Sequence, residues 1–333
     1  MKQRQTELDI LRFLALFAVI LIHVSGGFEL LGPMFMPLLV WCVPVFIMLS
    51  GRFFLDEEKP ITVKKLLQKY LLRIVLAFVV WSGVYTIYYM WSGVYDILNI
   101  KGILAQCMEG PYHFWYLYML AGLYMLTPFL RKITQDKQLC DYFLVLFAVF
   151  NIITEYVIFI PKIGDIIAAT VNKLGINRVL GYVGYFVLGN YIQQNKEKIT
   201  PKIETLIYGS GMGMLILTCV LENMIRPELR QNNFVKQYMK PNVVIYSSAI
   251  FTLFIKRISR IHFSPKIQRI FAKLTELGFG VYILHALVAD FLVDIFQMHS
   301  YLALVLMAAV VCGISLCLTW LIRSIPLVGK RIT

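Results

Sequence analysis

Long apolar stretches, separated by short segments rich in charge and proline, dominate the chain. A helix needs about 20 mostly apolar residues to cross a membrane, and the first stretch, LDILRFLALFAVILIHVSGGF at residues 8–28, meets that length. Further stretches repeat the pattern, so we predict an all-α polytopic membrane helix bundle with about ten transmembrane helices. The predicted spans are 8–28, 36–55, 70–91, 113–130, 141–161, 179–194, 205–223, 241–256, 277–297 and 301–323.

The composition supports this interpretation. Of the 333 residues, 59% are hydrophobic and 15% are charged, with a mean hydropathy of +0.71. A soluble domain is roughly half apolar and a quarter charged. The first apolar stretch is too long for a cleavable signal peptide and lacks a small-residue cleavage site, so we expect it to remain as the first span. We expect residues 1–333 to form one integral membrane domain.

Basic residues are distributed unevenly between the two sides of the predicted bundle. If both termini lie inside, the inside segments carry 24 of the 32 Lys and Arg residues and the outside segments carry 8. Cytoplasmic loops carry an excess of basic residues, so we predict that both termini are cytoplasmic. The same asymmetry explains the net charge of +13. It favours membrane lipids, and not nucleic acid, as partners of the basic residues.

Arg12 and His23 are ionisable residues inside the first apolar stretch. Their spacing places them within roughly 20° of the same helix face and about 16 Å apart along the axis. Ionisable groups in a membrane usually face a bundle interior or a wet cavity. We therefore expect both to face one seam, with Arg12 at its cytoplasmic end. A snorkelling anchor for Arg12 and a structural, hydrogen-bonded His23 are the alternatives.

Other polar residues occur at related depths. They are Ser50 in VPVFIMLSGRFF (43–54), His113 and Trp115 at the outer end of the fourth span, and Tyr282 and His285 in GVYILHALVAD (280–290). Tyr282 and His285 share a helix face, since they are three residues apart. Histidines so placed can serve a proton path, a metal site or an acyl-transfer site, and an interfacial aromatic belt is the alternative for Trp115. No two histidines have the four-residue spacing of a zinc-binding helix motif, so we expect no metal.

The glycine-rich motif and the cysteines are assigned to packing. GSGMG at residues 209–213 lies in an apolar span, where small residues let helices approach closely, and we do not expect it to cradle phosphate. The six cysteines lack CxxC spacing, and in apolar stretches cysteine behaves as a small hydrophobic residue. We therefore expect no disulfide framework.

Four elements, in order along the chain, resemble the acyltransferase 3 family of integral membrane acyltransferases. They are Arg12 and His23 as R-x10-H in the first span, VPVFIMLSG in the second, HFWYLYMLAGLYMLTP in the fourth and GVYILH in the ninth. The resemblance covers nearly the whole chain. Within the family, the chain is similar to the stand-alone enterobacterial common antigen O-acetyltransferase type. The family's second cytoplasmic loop often holds paired arginines, for which Lys69 and Arg73 are the nearest candidates here.

The resemblance implies transfer of an acyl group from cytoplasmic acyl-coenzyme A (acyl-CoA) to a hydroxyl of a cell-surface or lipid-linked glycan, and the similarity to the O-acetyltransferase type implies that this group is acetyl. The location implied is the bacterial cytoplasmic membrane. No permanently bound cofactor is expected, and acetyl-CoA is the donor substrate. A sugar hydroxyl needs a base within hydrogen-bond reach, which suits histidine. We assign this role to His23, with Arg12 as a donor anchor or as an orienting residue in the seam.

The remaining candidates have supporting roles. Ser50, Tyr282 or His285 can stabilise the oxyanion or make polar contacts, and His113 and Trp115 lie at the same outer end. Arg and Lys are suitable phosphate partners, so Arg52, Lys69 and Arg73 are the candidates for the donor phosphates. Direct transfer and a covalent acyl-histidine intermediate both stay open.

Two other function classes fit a helix bundle with intramembrane polar residues. One is a transporter of a small, serine-like polar solute, and the other is a non-catalytic membrane scaffold that binds glycan. We find no inverted repeat and no pair of broken helices in the sequence, which disfavours the transporter. Transfer of label from acyl-CoA to a glycan separates the enzyme from both.

Overall fold

The described part of the chain consists of helices and the loops that join them. The computed structural model describes residues 4–25, 32–94, 99–153, 164, 166–167, 173, 176–224, 238–293, 300–326 and 329–333, and it has no strand within these ranges. The prediction of an all-α polytopic helix bundle is confirmed.

In the first part of the chain the predicted second span is divided into two helices, which meet at Val40 and Trp41. A one-turn helix, Val63–Lys65, and a π-helix, Leu66–Leu71, lead into α4. A 3-10 turn, Tyr112–Phe114, leads into α6. The helices are α1 (Thr6–Ser25), α2 (Gly32–Leu39), α3 (Cys42–Phe54), α4 (Leu72–Trp91), α5 (Ile100–Glu109) and α6 (Trp115–Gln135).

In the second part, α11 begins 12 residues before the predicted ninth span. Apolar length did not predict this start because the first turn of α11 is polar. Ser264 and Pro265, residues that often start a helix, were the available signal. A π-helix, Ala148–Ile153, continues α7, and 3-10 turns lie at Lys196–Lys198 and Ile258–Arg260. The helices are α7 (Lys137–Phe147), α8 (Ile176–Gln194), α9 (Pro201–Met224), α10 (Pro241–Lys256), α11 (Pro265–Val293), α12 (Tyr301–Arg323) and α13 (Gly329–Ile332).

Six helical segments in the described ranges, two of which combine adjacent helices named above, are long and apolar enough to cross a membrane. They are Thr6–Ser25, Met36–Phe54, Val63–Trp91, Pro201–Glu222, Pro265–Leu292 and Tyr301–Arg323. α6, α7, α8 and α10 lie where the other four predicted spans were placed, although α10 has only 16 residues. The count of ten spans therefore stays a prediction. Parts of the predicted spans 8–28, 141–161 and 277–297 lie outside the described residues. In the spans 179–194 and 205–223, the side chains of residues 179 and 223 are outside the description.

The relative directions of three helices follow the predicted alternation of spans. Thr275 contacts the main-chain oxygen of Asp9 at 3.5 Å, and the ring centroid of His285 lies 5.0 Å from that of His23. α1 and α11 therefore run parallel. α6 starts beside the end of α1, since Tyr112 and His23 have ring centroids 5.1 Å apart. It runs antiparallel to α1, as a fourth span must beside a first and a ninth.

α3 and α8 pack closely because each has a glycine at the contact. A Cβ atom on Gly51 would lie 1.8 Å from the main-chain oxygen of Phe186. A Cβ atom on Gly189 would lie 2.2 Å from the main-chain oxygen of Met48. These distances leave no room for a side chain, so the motif VPVFIMLSG ends in glycine for a packing reason.

The GSGMG motif has only one packing glycine. A Cβ atom on Gly211 would lie 2.4 Å from the Cβ atom of Ala249 in α10. Gly209 and Gly213 have open space around the same position. The packing prediction is confirmed at Gly211 and wrong at the other two, which lie on other faces of α9.

Candidate functional site

A mostly apolar cavity of about 270 Å³ lies between α1, α3, the start of α6 and α11. Leu16, Val19 and Ile22 form the α1 wall, and Val43 and Phe46 form the α3 wall. The lining side chains with a polar group are Arg12, His23, His113, Trp115, Tyr116, Tyr238, Thr275 and Tyr282. A cavity with apolar walls and a few polar groups is the usual form of a small-molecule site.

Both residues of the R-x10-H pattern line this cavity. Their position agrees with the helix-face argument, since a spacing of 11 residues returns to nearly the same face. Arg12 lies toward the start of α1, where its Nη1 is 3.6 Å from Asp9 Oδ1. About a third of the Arg12 side chain, 34%, is still exposed. The guanidinium therefore has a counter-ion and remains accessible from the cavity.

Asp9 is the centre of the ionic contacts at this end of α1. Arg4 Nε donates to Asp9 Oδ2 at 2.5 Å, and Arg4 Nη2 donates to the main-chain oxygen of Ala272 at 3.1 Å. The Asp9 side chain is only 8% exposed. Arg4 thus links the Asp9 carboxylate of α1 to α11, and the same carboxylate holds Arg12 beside the cavity.

Three histidines from three helical segments meet at the other end of the cavity. The ring centroids of His23 and His285 are 5.0 Å apart, those of His113 and His285 5.2 Å, and those of His23 and His113 6.1 Å. His113 and His285 are buried, at 1% and 0% exposure. His23 is half-buried and His113 also lines the cavity. This histidine cluster (His23, His113 and His285) is the main polar feature at that end.

The histidine cluster is not arranged as a metal site. In the part of the chain that the structure describes, no group of three or more His, Cys, Asp or Glu side chains has the geometry to hold a metal ion. The described cysteines are also unpaired with one another. The acid–base chemistry of histidine is the chemistry that this arrangement supports.

Tyr282 connects α11 to the segment before α6. Its hydroxyl donates to the main-chain oxygen of His113 at 2.5 Å, and its ring lines the cavity. The hydroxyl is therefore engaged in fixing the His113 main chain. The His113 ring also lines the cavity, so this imidazole is the more suitable cavity donor.

Trp115 lies at the cavity lining in an aromatic group. Its ring centroid is 5.7 Å from that of Tyr238, with planes inclined by 27°, and 5.7 Å from that of Tyr182. Trp115 is 38% exposed. Trp115 therefore contributes to the cavity wall and is also accessible, as a residue of an interfacial aromatic belt would be.

Two candidates on α3 have partners away from the cavity. The Ser50 hydroxyl donates to the main-chain oxygen of Phe46 at 2.9 Å, within its own helix. Arg52 donates to Gln193 Oε1 at 2.7 Å and also contacts the Gln5 side chain. Neither residue lines the cavity. The structure does not bring Ser50 or Arg52 together with His23.

Lys69 lies in the π-helix before α4, and Arg73 lies in the first turn of α4, beside the middle of α11. Arg73 Nη2 donates to the main-chain oxygen of Thr333 at 2.7 Å, and the guanidinium lies 4.8 Å from the ring centroid of Phe279. Phe279 lines the cavity, so Arg73 lies behind its wall. Lys69 is exposed and lies 5.7 Å above the Tyr70 ring.

Sequence reasoning missed three tyrosines of the site. Tyr116 lines the cavity from α6, and its place in the HFWYLYM motif was an available signal. Tyr238 lines the cavity from a turn before α10, and Tyr85 contacts α11 beside His285. No local pattern marks these two, because each meets the site through contacts between distant parts of the chain.

Comparison with known proteins gives one match. A family model described as an acyltransferase domain, of the acyltransferase 3 type, matches residues 5–324. No curated protein and no solved structure matches the chain.

Proposed function

The chain belongs to the acyltransferase 3 family, and from this premise we propose that it is a membrane-bound O-acyltransferase. It moves an acyl group, in the simplest case acetyl, from cytoplasmic acyl-CoA to a hydroxyl of a cell-surface or lipid-linked glycan. Its location is the bacterial cytoplasmic membrane. The observation that supports this proposal most is that Arg12 and His23 line the same apolar cavity.

The length of the cavity suits a thioester donor. Arg12 and His23 are separated by about 16 Å along α1, which an extended pantetheine arm can bridge. Arg12 near one end is placed to attract the anionic part of the donor, because a guanidinium forms strong, charge-assisted bonds with phosphate. The thioester then lies near the histidine cluster, where the apolar walls exclude water.

The reaction needs one base and one oxyanion donor. His23 accepts the proton of the acceptor hydroxyl as its oxygen attacks the thioester carbonyl carbon, so a C–O bond forms and the carbonyl becomes an oxyanion. When the tetrahedral intermediate collapses, the C–S bond breaks and His23 returns the proton to the leaving thiolate. His113, which lines the cavity with its ring centroid 6.1 Å from that of His23, is our candidate for the oxyanion donor.

The donor phosphates are assigned to the basic residues at the cytoplasmic end. Arg4 and Arg12 lie at the start of α1, while Lys69 is exposed near the start of α4. Arg73 supports the cavity wall through Phe279, and we propose that it contributes to donor binding from that position. Arg52, which is bound to Gln193, orients α3 against α8.

The test uses membranes that contain the protein and acetyl-CoA labelled in its acetyl group. Label should appear on lipid-linked or surface glycan, and it should be lost in His23→Ala. Leu14→Ala is the matched control on the same helix, since Leu14 is 42% exposed and faces away from the cavity. Uptake of serine without acceptor labelling would indicate a transporter, and glycan binding with neither activity would indicate a scaffold.

A further inference from the structure

The hydroxyl of Tyr85 in α4 takes part in the main-chain hydrogen bonding of α11. It donates to the carbonyl oxygen of Ile283 at 2.8 Å and accepts from the amide of Leu287 at 2.9 Å. In a regular α-helix, the amide of Leu287 would donate directly to the carbonyl oxygen of Ile283, four residues earlier. A side chain inserted at such a place distorts a helix locally. Tyr85 is 1% exposed, so its phenol is held firmly against this turn.

His285 lies in the same turn, and the main chain fixes its ring. Its Nδ1 is 2.6 Å from the carbonyl oxygen of Tyr282. Because a carbonyl oxygen can only accept, Nδ1 carries the hydrogen, and the lone pair of a neutral imidazole is then at Nε2. Nε2 is buried and has no hydrogen-bond partner among the described residues. A buried acceptor without a donor is costly.

The neighbouring imidazoles are the available donors for this nitrogen. The ring centroids of His23 and His113 lie 5.0 Å and 5.2 Å from that of His285. Two imidazoles joined by an N–H···N bond of about 3 Å have centroids roughly 5 Å apart. His23 is the nearer of the two rings, and unlike the buried His113 it is only half-buried.

We propose that His285, held by Tyr85 and the Tyr282 carbonyl, is a positioning residue that accepts a hydrogen bond from His23 at Nε2. The proposal rests on the function proposed above. The bond fixes the His23 tautomer, so the second nitrogen of His23 faces the cavity with its lone pair free. This nitrogen takes the proton of the acceptor hydroxyl and later gives it to the thiolate, while the hydrogen between His23 and His285 stays in place.

The kinetic test separates the acceptor atom of His285 from its bulk. In His285→Asn the amide can still bond the Tyr282 carbonyl but cannot reach the Nε2 position, so kcat should fall about tenfold or more with little change in the donor KM. In His285→Gln the amide oxygen reaches that position, so kcat should stay within about threefold of wild type. Equal activity of both variants, whether equally high or equally low, would overturn the proposal.

The matched pair of tyrosine variants tests the role of α4. Tyr85→Phe removes only the hydroxyl and should lower kcat several-fold, again with the KM unchanged. Tyr89→Phe is the control. Tyr89 also lies on α4, and its hydroxyl contacts a side chain of α11, that of Asp290, at 3.1 Å and not the main chain. Equal effects of the two variants would contradict a specific role for Tyr85. The amount of folded protein is measured for each variant on the same membranes.

An activity-independent measurement keeps this inference separate from the proposed function. In protein labelled with nitrogen-15 at histidine, the Nε2 resonance of His285 should report an acceptor that receives a hydrogen bond. It should shift in His23→Ala and in Tyr85→Phe, and stay in place in His113→Ala and Tyr89→Phe. A shift in His113→Ala alone would make His113 the donor and overturn the proposal, whether or not the wild-type protein transfers label.

Discussion

Adding one methyl group at Gly51 should weaken the contact between α3 and α8. The Cβ atom of an alanine there would lie 1.8 Å from the main-chain oxygen of Phe186, whereas non-bonded heavy atoms rest about 3.5 Å or more apart. The close atom belongs to the main chain, so no side-chain rotation relieves the overlap. One helix must move away from the other, or both must bend.

The size of the effect follows from two opposing contributions. Overpacking of a well-packed interior costs about 1–3 kcal/mol, and the severity of this overlap places Gly51→Ala toward the upper end. Replacing glycine by alanine inside a helix contributes about 1 kcal/mol in the other direction. We expect a net loss of about 1–2 kcal/mol. Gly189→Ala meets Met48 across the same contact at 2.2 Å and should have the same sign.

The assay is thermal unfolding in detergent, followed with a thiol-reactive dye, because Cys42, Cys140 and Cys312 are buried until the bundle opens. Gly51→Ala and Gly189→Ala should lower the apparent Tm by several degrees. Gly83→Ala and Gly122→Ala are the controls, since a Cβ atom at either position meets nothing within 4 Å. A Tm for Gly51→Ala that equals or exceeds those of the controls would refute the packing argument.

Three further predictions concern donor binding, the topology and the loop that follows α3. Arg73→Gln should raise the KM for acetyl-CoA more than it lowers kcat, and an unchanged KM would limit Arg73 to its contacts with Thr333 and Phe279. Reporter fusions at residue 333 and in the 52–73 loop should read inside and a fusion near Lys101 should read outside; an outside reading at residue 333 would contradict the ten-span topology. Arg131 donates to the carbonyls of Phe54, Asp56 and Lys59 at 2.7, 3.0 and 3.1 Å. Arg131→Ala should therefore lower stability by about 1–3 kcal/mol in the same unfolding assay, and an unchanged Tm would show that water replaces the guanidinium.

Helical periodicity was sufficient to place the residues that share one helix. Arg12 and His23 line one cavity, and the ring centroids of Tyr282 and His285 are 5.8 Å apart, because spacing fixes which residues of a helix share a face. Apolar length was also sufficient to predict an all-helical bundle. Its limit is visible at α11, where a polar first turn hid the start of the helix.

Contacts between distant segments could not be read from the sequence. His113 meets His23 and His285 only after α6 and α11 pack against α1, and no local pattern encodes that packing. Ser50 was a reasonable candidate by depth, but its hydroxyl bonds to Phe46 within its own helix, as serine in a membrane helix often does. Arg52 donates a hydrogen bond to Gln193, which lies on α8, far along the chain from α3.

The most direct test of the central claim is the rate of acyl transfer by His23→Gln, divided by the amount of folded protein in the same membranes. A glutamine keeps a hydrogen bond and similar bulk, but its amide cannot take a proton near neutral pH. If His23 is the base, the variant should insert and fold normally and should lose about a hundred- to ten-thousandfold in rate. Transfer at the wild-type rate would show that His23 is only a polar packing residue, and the proposed mechanism would be wrong.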